Sequence, residues 1–416
     1  MRVAVVSPFL DRSHGTERCI TEQIERLASH FGWEIHLYSQ HVEDVNCVIE
    51  GSGGAPGPSG GGIVWHKICQ IRGPHILQFL WWLTANHVRR WRDHKSTERR
   101  PDLTCSPGIN CLDADAIVVH IVFHEFYERV RSRLHLRKLP FRSWPRSIHR
   151  KLYYHLIKVL ESQIYSKPRV HLAAVSQRVA DQLEKHFHRV EVPVIPNGVD
   201  TSKFCPAARL ARRHLARQSF GFAEADFVLL LIGNDWKNKG LDALLQAMIF
   251  IQDLPFRLLV AGRDDPGPYA SVLRNHGLQD RVRLVPYSDD VLSFYAAADA
   301  YVGPSLEDAF GLPILEAMAC SLPVIASVHA GASDAIEDGQ SGLLLHHPER
   351  ADELSALLVR LFHDRGLQEK LGRAAAQTAT RYSWEVNAAK TKNFLSGVVR
   401  KPISREAPTA RKTFSL

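Results

Sequence analysis

Short apolar runs alternate with helical patterns along most of the chain. The first run, at residues 2–7, is followed by a polar turn, an amphipathic helical pattern at residues 17–31 and a second apolar run at residues 33–38. Apolar runs of this length, separated by a helix, are typical of buried strands in a strand–helix–strand unit. The first half of the chain is therefore predicted to contain a parallel sheet.

The alternation continues through both halves of the chain. In the first half, further strands are predicted at residues 116–120 and 171–175, with a helix at residues 177–186. In the second half, strands are predicted at residues 227–232, 256–261, 282–285, 300–302 and 323–326. Such an alternation favours an open, doubly wound α/β sheet. Two such halves, joined near residues 197–203, leave a cleft that the carboxyl ends of the strands face.

Several other segments differ from this alternation. Residues 76–91 have a helical pattern rich in tryptophan, whereas residues 50–62 are of low complexity and predict a flexible surface loop. Near the end of the chain, residues 383–399 are predicted to form a helix with Ser383 as its N-cap. The basic tail at residues 401–416 is predicted to be disordered.

Composition narrows the class of protein. Apolar residues make up 45% of the 416 residues, which suits a globular protein with a hydrophobic core and two domains. The sequence has no run of about 18 or more apolar residues and no signal-peptide core, so we expect a cytoplasmic protein. The seven cysteines are scattered without Cys-x-x-Cys spacing and are expected to be reduced thiols.

The positive charge is concentrated in one segment. The net charge is +8, and residues 129–151 hold nine Lys or Arg residues, no acid and several interleaved apolar residues. This pattern fits a surface that faces an anionic membrane, a grip on a soluble phosphorylated acceptor, or a solvated basic helix and loop. The sequence has neither zinc-finger spacing nor an RNA-recognition signature, so nucleic acid is not expected as a partner.

The stretch at residues 304–326 carries the most informative chemistry. It predicts a strand end, a loop that contains Asp308, a helix that begins near Pro313, and a further strand. Backbone N–H groups at a helix start favour anionic oxygens, and the carboxylates of Asp308 and Glu316 can accept hydrogen bonds from sugar or ribose hydroxyls. Taken singly, the two carboxylates could instead cap the turn and complement the helix dipole. The residues whose amides lie at this helix start are Phe310, Gly311 and Leu312.

Taken together, these residues resemble the signature of retaining glycosyltransferases of the GT-B fold, in family four (glycosyltransferase group 1). The family pattern has two Glu residues separated by seven others, within a PSxxEGFGLPxLEAMACGxPVI-like sequence. Glu316 matches the second Glu, and Asp308 stands where the first is expected. The resemblance implies that Glu316 binds the ribose of the donor and that Asp308 is a catalytic residue at the donor sugar.

Two further motifs extend the resemblance. Lys239, in a strand that leads into Lys-Gly, falls on the family's lysine that meets the donor diphosphate, which implies both donor binding and a catalytic role. Asn234 stands where many members carry Arg, and Lys237 is a candidate to replace that cation. The turn at residues 14–18 resembles the family's GGxER turn, which implies that Gly15 binds the donor.

A histidine ends one of the predicted strands of the first half. His120 is the last residue of the strand at residues 116–120, and His124 follows four residues later. The resemblance implies an active-site histidine that contacts the donor sugar, with His120 as the first candidate and His124 as the second. The chain contains 22 His residues, so a chance match is the competing interpretation.

The resemblance also implies an architecture. The GT-B fold is α/β, with two Rossmann-like domains that face each other across a cleft. Residues 1–198 would form the N-terminal, acceptor-side domain, and residues 199–380 the C-terminal domain that binds the nucleotide sugar. A helix at residues 381–400 is expected to pack back on the N-terminal domain, before the tail at residues 401–416.

The activity implied by the resemblance is retaining transfer of a sugar from a nucleoside-diphosphate sugar to an acceptor, which could be a glycan, lipid-linked or a small molecule. No cofactor is implied, because the nucleotide sugar is a substrate. The sequence lacks a convincing Asp-x-Asp site, and Asp264-Asp265 and Asp289-Asp290 are expected to be loop or cap residues, so no metal is expected. Lys239 and the helix-start amides would then stabilise the leaving phosphate.

Other classes of protein share parts of this pattern. A Rossmann dehydrogenase needs Gly-x-Gly-x-x-Gly after its first strand, but residues 7–18 contain only Gly15, which excludes that class. A nucleotide-sugar epimerase or a phosphorylase could share the fold, although no lysine stands in a context that marks a pyridoxal site. A non-catalytic subunit that binds sugar nucleotides stays open because of Asp308 and Asn234.

Overall fold

The computed structural model describes residues 1–49, 61–95, 100–130 and 144–399. Within these residues the chain forms two α/β domains, each built on a parallel sheet. The predicted loop at residues 50–62, apart from its last two residues, the tail at 401–416 and most of the basic segment at 129–151 lie outside the described residues.

The N-terminal domain has a seven-stranded parallel sheet, in the order β5-β6-β3-β1-β7-β8-β9, and β2 pairs separately with β4. In chain order its elements are β1 (Arg2–Val6), β2 (Phe9–Leu10), α1 (Gly15–Phe31), β3 (Glu34–Ser39), β4 (His41–Val42), β5 (Val48–Ile49), β6 (Gly62–Lys67), α2 (His75–His94), β7 (Leu103–Ser106), β8 (Ala116–Val119), α3 (Phe123–Val130), α4 (Trp144–Tyr165), β9 (His171–Ala174) and α5 (Gln177–Phe187). Because helices cover both faces of a parallel sheet, β1 is almost entirely apolar, and its Val3, Ala4 and Val6 are fully buried.

The C-terminal domain repeats this architecture with a six-stranded parallel sheet in the order β12-β11-β10-β13-β14-β15. Its elements, with the helix that follows it, are α6 (Pro206–Phe220), β10 (Phe227–Ile232), α7 (Leu241–Phe250), β11 (Phe256–Gly262), α8 (Gly267–Asn275), β12 (Val282–Pro286), α9 (Val291–Ala297), β13 (Ala300–Gly303), α10 (Leu312–Ala319), β14 (Val324–Ser327), β15 (Leu343–Leu345), α11 (Ala351–His363), α12 (Arg365–Ala379) and α13 (Trp384–Val399). Two 3₁₀ turns lie at Gly331–Ala335 and Thr380–Tyr382. The change of strand order on either side of β10 is the place where ligands bind in such sheets.

The chain crosses between the domains twice, at adjacent places. Val199 N donates to Tyr382 O at 2.8 Å, and Val199 also forms a bridge with Ser383. Asn387, on α13, donates its side-chain amide to Pro196 O at 2.7 Å. The two segments that connect the domains therefore run side by side, as they do in a hinge between two domains.

The last helix packs against the N-terminal domain. Arg26 on α1 donates to Glu385 on α13 at 3.0 Å. Leu395 of α13 is buried in the same core cluster as Val3 and Ile20. The core of the N-terminal domain thus includes a segment that follows the C-terminal domain in sequence.

The two domains also touch directly beside the cleft. Arg178 of α5 forms an ion pair with Glu307, and Gln182 donates to the same carboxylate at 2.8 Å. Ser176 Oγ donates to Ala309 O at 2.8 Å, and a Cβ added to Gly331 would collide with both groups. The loop before α10 is therefore fixed against the N-terminal domain.

In the part of the chain that the structure covers, none of the helices combines the length and apolar character required to cross a bilayer.

Candidate active site

A cavity of about 350 Å³ lies in the cleft, at the carboxyl ends of the strands of both sheets. The N-terminal domain lines it with Arg12, His14, Gly15, Arg18 and His120, and the C-terminal domain with Gly233, Asn234, Lys239, Tyr287, Asp308, Phe310, Gly311, Leu312 and Glu316. The structure thus brings together almost all of the site residues that the sequence predicts.

The N-terminus of α1 points its first amides at this cavity. The carboxylate of Asp11 accepts hydrogen bonds from the amides of Ser13 and His14, at 2.8 and 2.9 Å, which fixes the turn that starts the helix. Burial opposes the ionisation of Asp11, but these hydrogen bonds outweigh it and lower its pKa. A Cβ added to Gly15 would meet no atom within 4 Å, so protein packing does not require glycine here. The open space beside Gly15 suits a ligand that approaches the backbone closely.

The N-terminus of α10 faces the same cavity from the other domain. Gly311 is the residue before the helix and has φ +88°, a left-handed conformation that favours glycine, and Pro313 lies in the first turn. Phe310 N donates to Asp308 Oδ1 at 3.3 Å, so the loop and the helix start form one unit. Two helix N-termini, one from each domain, therefore direct partial positive charge at one volume.

Lys239 lines the same cavity as these helix starts. It follows β10 and its side chain packs over Gly233, whose φ of +147° is open to glycine alone. Its ammonium group forms an ion pair with Asp308. The catalytic residues predicted at Lys239 and Asp308 are thus in direct contact. Glu307, one residue before Asp308, is paired with Arg178 outside the cavity, so Asp308 alone of the two acids faces the site.

Glu316 is buried at the cavity wall, with 3% of its surface exposed. Its Oε1 lies 2.7 Å from Arg18 Nη1 of the N-terminal domain, and its Oε2 accepts a hydrogen bond from the Tyr295 hydroxyl at 2.7 Å. The attraction of Glu316 raises the pKa of Arg18, so this guanidinium stays charged. The sequence indicates no role for either partner: Arg18 lies in the turn at residues 14–18 that carries the resemblance, and no motif includes Tyr295.

His120 lies at the floor of the cavity, directly after β8. Burial lowers its pKa to about 4, so the imidazole is neutral at pH 7. Within the described residues, Nε2 of His120 has no hydrogen-bond partner. His124, the second candidate, instead pairs with the buried Glu161 at 2.7 Å and does not line the cavity. The geometry therefore favours His120 over His124.

Lys237 is the one predicted donor-binding residue that the structure keeps out of the cavity lining. It lies exposed on the turn between β10 and α7, because that turn directs Lys239 inward instead. Asn234 lines the cavity and accepts a hydrogen bond from Arg263 N at 3.0 Å. The expectation that Lys237 replaces a cation at Asn234 is therefore not supported by its position.

Three of the four paired aspartates, Asp264, Asp265 and Asp290, lie in loops or at a helix start, as the sequence predicts. Asp264 accepts hydrogen bonds from the amides of residues 235 and 236, and Asp265 accepts one from residue 267. Asp290 precedes α9 and pairs with Arg212. Over the described ranges, the residues close enough together to hold a metal are Glu125, Glu128 and His186, which do not line the cavity.

Part of the C-terminal domain matches a known protein family. Residues 213–378 match the family model described as "Glycosyl transferases group 1". The resemblance to glycosyltransferase group 1 is thereby confirmed, and the matched residues lie in the C-terminal domain.

Among curated proteins, a D-inositol 3-phosphate glycosyltransferase of Salinispora arenicola is 30% identical over 242 residues, which is 54% of this chain and 54% of the relative. One of the same name from Streptomyces bingchenggensis is 33% identical over 245 residues, 55% of this chain and 53% of the relative. The chain therefore spans about half the length of the curated relatives that it matches.

Solved structures match over nearly the whole chain. WaaG, a glycosyltransferase involved in lipopolysaccharide biosynthesis, has a TM-score of 0.73 at 18% identity and covers 95% of this chain and 100% of its own. Anabaena HepE in complex with UDP-glucose has a TM-score of 0.66 at 18% identity, with 95% and 100% covered. The predicted fold class, two Rossmann-like α/β domains across a cleft, is confirmed.

Proposed function

We propose that the chain is a retaining, metal-independent glycosyltransferase that moves a sugar from a nucleoside-diphosphate sugar to an acceptor. The observation that carries the proposal is the cavity itself, in which Lys239, Asp308, Glu316 and His120 meet two helix N-termini from opposite domains. The match of residues 213–378 to glycosyl transferases group 1 supports the same activity.

Each group has a task that its surroundings suit. The ammonium of Lys239 and the first amides of α1 and α10 favour the diphosphate, on which negative charge increases as the bond to the anomeric carbon breaks. Glu316 can accept hydrogen bonds from ribose hydroxyls, and Asp308 from the donor sugar. His120 is neutral and buried, so it can hydrogen-bond a sugar hydroxyl without adding a positive charge near the anomeric carbon.

Metal independence is proposed because protein groups already supply the positive potential. Lys239 and two helix N-termini converge on the volume where the diphosphate would lie. Retention of the anomeric configuration is proposed because the segment from Asp308 to Glu316 resembles that of the retaining family. The acceptor would then attack the anomeric carbon on the face from which the phosphate departs.

The donor is best identified by thermal shift. UDP-, GDP-, ADP- and dTDP-sugars are added separately, and the correct donor at about 100 times its dissociation constant stabilises the fold by roughly 2.7 kcal/mol. Product formation with that donor is then followed by the release of free nucleoside diphosphate. Stabilisation by no sugar nucleotide would contradict the proposal.

The second candidate function is a non-catalytic subunit that binds sugar nucleotides. The ion pair between Lys239 and Asp308 favours it, because both groups are engaged with each other rather than directed freely into the cavity. A donor that binds tightly but is neither hydrolysed nor transferred to any acceptor would support this candidate over the enzyme.

The acceptor is proposed to be a glycan, a lipid-linked molecule or a small molecule, handled by a cytoplasmic protein in peripheral contact with an anionic membrane. Besides the basic segment at residues 129–151, α2 supports the membrane contact, because it exposes an apolar stripe. Leu77, Trp81, Val88 and Trp91 recur at helical spacing, and each is at least 39% exposed. Tryptophan favours the membrane interface, and exposed cations flank the stripe. The flanking cations are Arg72, Arg92 and Lys95.

A soluble phosphorylated acceptor is the alternative for the same basic segment. The two curated relatives described above are named for an inositol phosphate. A phosphate on the acceptor would bind cations, as a lipid phosphate does, so the two possibilities need a test with vesicles rather than a charge argument.

A further inference from the structure

One ion pair in the cavity joins the two domains and has no task in the reaction proposed above. Arg18 Nη1 on α1 lies 2.7 Å from Glu316 Oε1 on α10, and the Tyr295 hydroxyl binds the other carboxylate oxygen at 2.7 Å. Both oxygens of the carboxylate proposed to bind the ribose are thus engaged by protein donors. A ribose hydroxyl that binds Glu316 must share or displace one of them.

Of these two donors, Arg18 is the one that can leave. Tyr295 is fully buried, and its hydroxyl lies 3.4 Å from Pro313 O as well as beside Glu316. Packing and these two contacts therefore hold its ring in place. The Arg18 side chain is 20% exposed and lines the cavity. Its guanidinium has five N–H donors, and across the described residues Glu316 is its only hydrogen-bond partner.

The other described arginine that lines the cavity already forms ion pairs. Arg12 binds Glu22 and Glu25 through its two terminal nitrogens. Among the described residues that line the cavity, Arg18 is therefore the guanidinium of the N-terminal domain that can turn to an anion, and it lies one helical turn into α1, whose N-terminus faces the cavity. A guanidinium binds phosphate oxygens with two parallel hydrogen bonds, which suits a diphosphate.

We propose that Arg18 changes partners when the donor binds. The ribose hydroxyls take Glu316, and the guanidinium of Arg18 turns to the diphosphate, opposite Lys239. Every charge keeps a partner in this exchange, and a contact between the domains is replaced by one that runs through the donor. The inference rests on the proposed function, because it takes Glu316 as the ribose site.

The test compares two ligands that differ only in their phosphates. Binding of UDP, GDP and ADP, and of the matching uridine, guanosine or adenosine, is measured by titration calorimetry or ligand-observed NMR. For Arg18→Gln, affinity for the nucleoside diphosphate that binds the unmodified protein should fall about tenfold or more, because a charge-assisted contact is lost. Affinity for the matching nucleoside should rise, because Glu316 no longer has to release an arginine.

Two further variants make the result specific. Arg26→Gln, on the same helix and outside the cavity lining, removes the ion pairs with Glu22 and Glu385 and should change neither affinity. Arg18→Lys keeps the charge but has fewer donors, so its affinity for the diphosphate should lie between those of Arg18→Gln and the unmodified protein.

The outcomes separate this inference from the proposed function. If both affinities fall together, or both rise together, in folded Arg18→Gln and Arg18→Lys, Arg18 does not change partners and the inference is overturned. If the unmodified protein binds none of the nucleoside diphosphates, the proposed function fails first and this inference fails with it.

Discussion

At the scale of single residues, the site depends on which of two adjacent acids faces the cavity. Glu307 is held by Arg178 and Gln182 of the N-terminal domain, whereas Asp308 turns inward to Lys239. The shorter aspartate therefore keeps the position next to the lysine, and the glutamate fixes the loop. The resemblance already places Asp308 at the site, but the sequence gives no indication that its neighbour Glu307 pairs with Arg178, because these two residues are 129 positions apart.

Replacing Lys239 or Glu316 by alanine should lower kcat/KM at least tenfold without unfolding the protein, because each loses a charge-assisted contact worth roughly 1.5–3 kcal/mol. Steady-state kinetics with the donor found by thermal shift measure the loss, and circular dichroism checks the fold. Lys370→Ala and Glu369→Ala, in α12 and outside the cavity lining, are the matched controls. Near-normal turnover in folded Lys239→Ala or Glu316→Ala would remove that residue from the site.

Gly15→Ala should fold normally and still bind the donor less tightly. The added methyl group meets no protein atom within 4 Å, yet it projects where the donor phosphates would approach α1. The melting temperature should stay unchanged while the donor dissociation constant, measured by calorimetry, increases several-fold. A variant that binds the donor as well as the original protein would show that the phosphates do not lie against α1.

At the scale of secondary-structure elements, periodicity located most of the sheet. The strands β1, β10 and β11 are almost entirely apolar, because both faces of a parallel sheet are covered, and their bounds agree with the prediction to within a residue. β7 was missed because the sequence LTCS is short and half polar. β6 was missed because it follows a low-complexity segment and because His66 interrupts its apolar run. In the structure the ring of His66 is nevertheless buried and stacks on Tyr38.

Two segments, the basic segment at residues 129–151 and helix α2, are proposed to contact a membrane. We expect the protein to pellet with phosphatidylglycerol vesicles at low salt, since cations near an anionic leaflet contribute about 1 kcal/mol each and salt weakens them. One variant changes Arg131, Arg133, Arg137 and Lys138 to Ser, all outside the described residues. A second changes Leu77, Trp81 and Trp91 on α2 to Ser.

Loss of pelleting in either variant identifies the contact. Vesicles of phosphatidylcholine alone serve as the uncharged control. A protein that remains in the supernatant with anionic vesicles at low salt contradicts the membrane proposal and leaves a soluble phosphorylated acceptor for the basic segment.

At the scale of the whole molecule, neither domain holds the site alone. The C-terminal domain supplies Lys239, Asp308 and Glu316, and the N-terminal domain supplies Gly15, Arg18 and His120. Motifs within one stretch of sequence, such as residues 304–326, could be recognised before the structure was known. The contact between Arg18 and Glu316 could not, because its partners are 298 residues apart and only the closure of two domains brings them together.

Activity should survive exhaustive treatment with EDTA, because the cations and helix N-termini of both domains already surround the proposed diphosphate position. The rate of nucleoside diphosphate release is measured before and after chelation, with the chelator removed by gel filtration. A loss of activity that magnesium or manganese restores would contradict metal independence.

The return of α13 to the first domain sets an order for folding during synthesis. A ribosome completes every strand of the second sheet before it makes Leu395, which the core around Val3 and Ile20 includes. Part of the apolar surface of the N-terminal domain therefore stays uncovered until α13 has been synthesised. The C-terminal domain can form its whole sheet before that point. The N-terminal domain thus leaves the ribosome first but completes its hydrophobic core last.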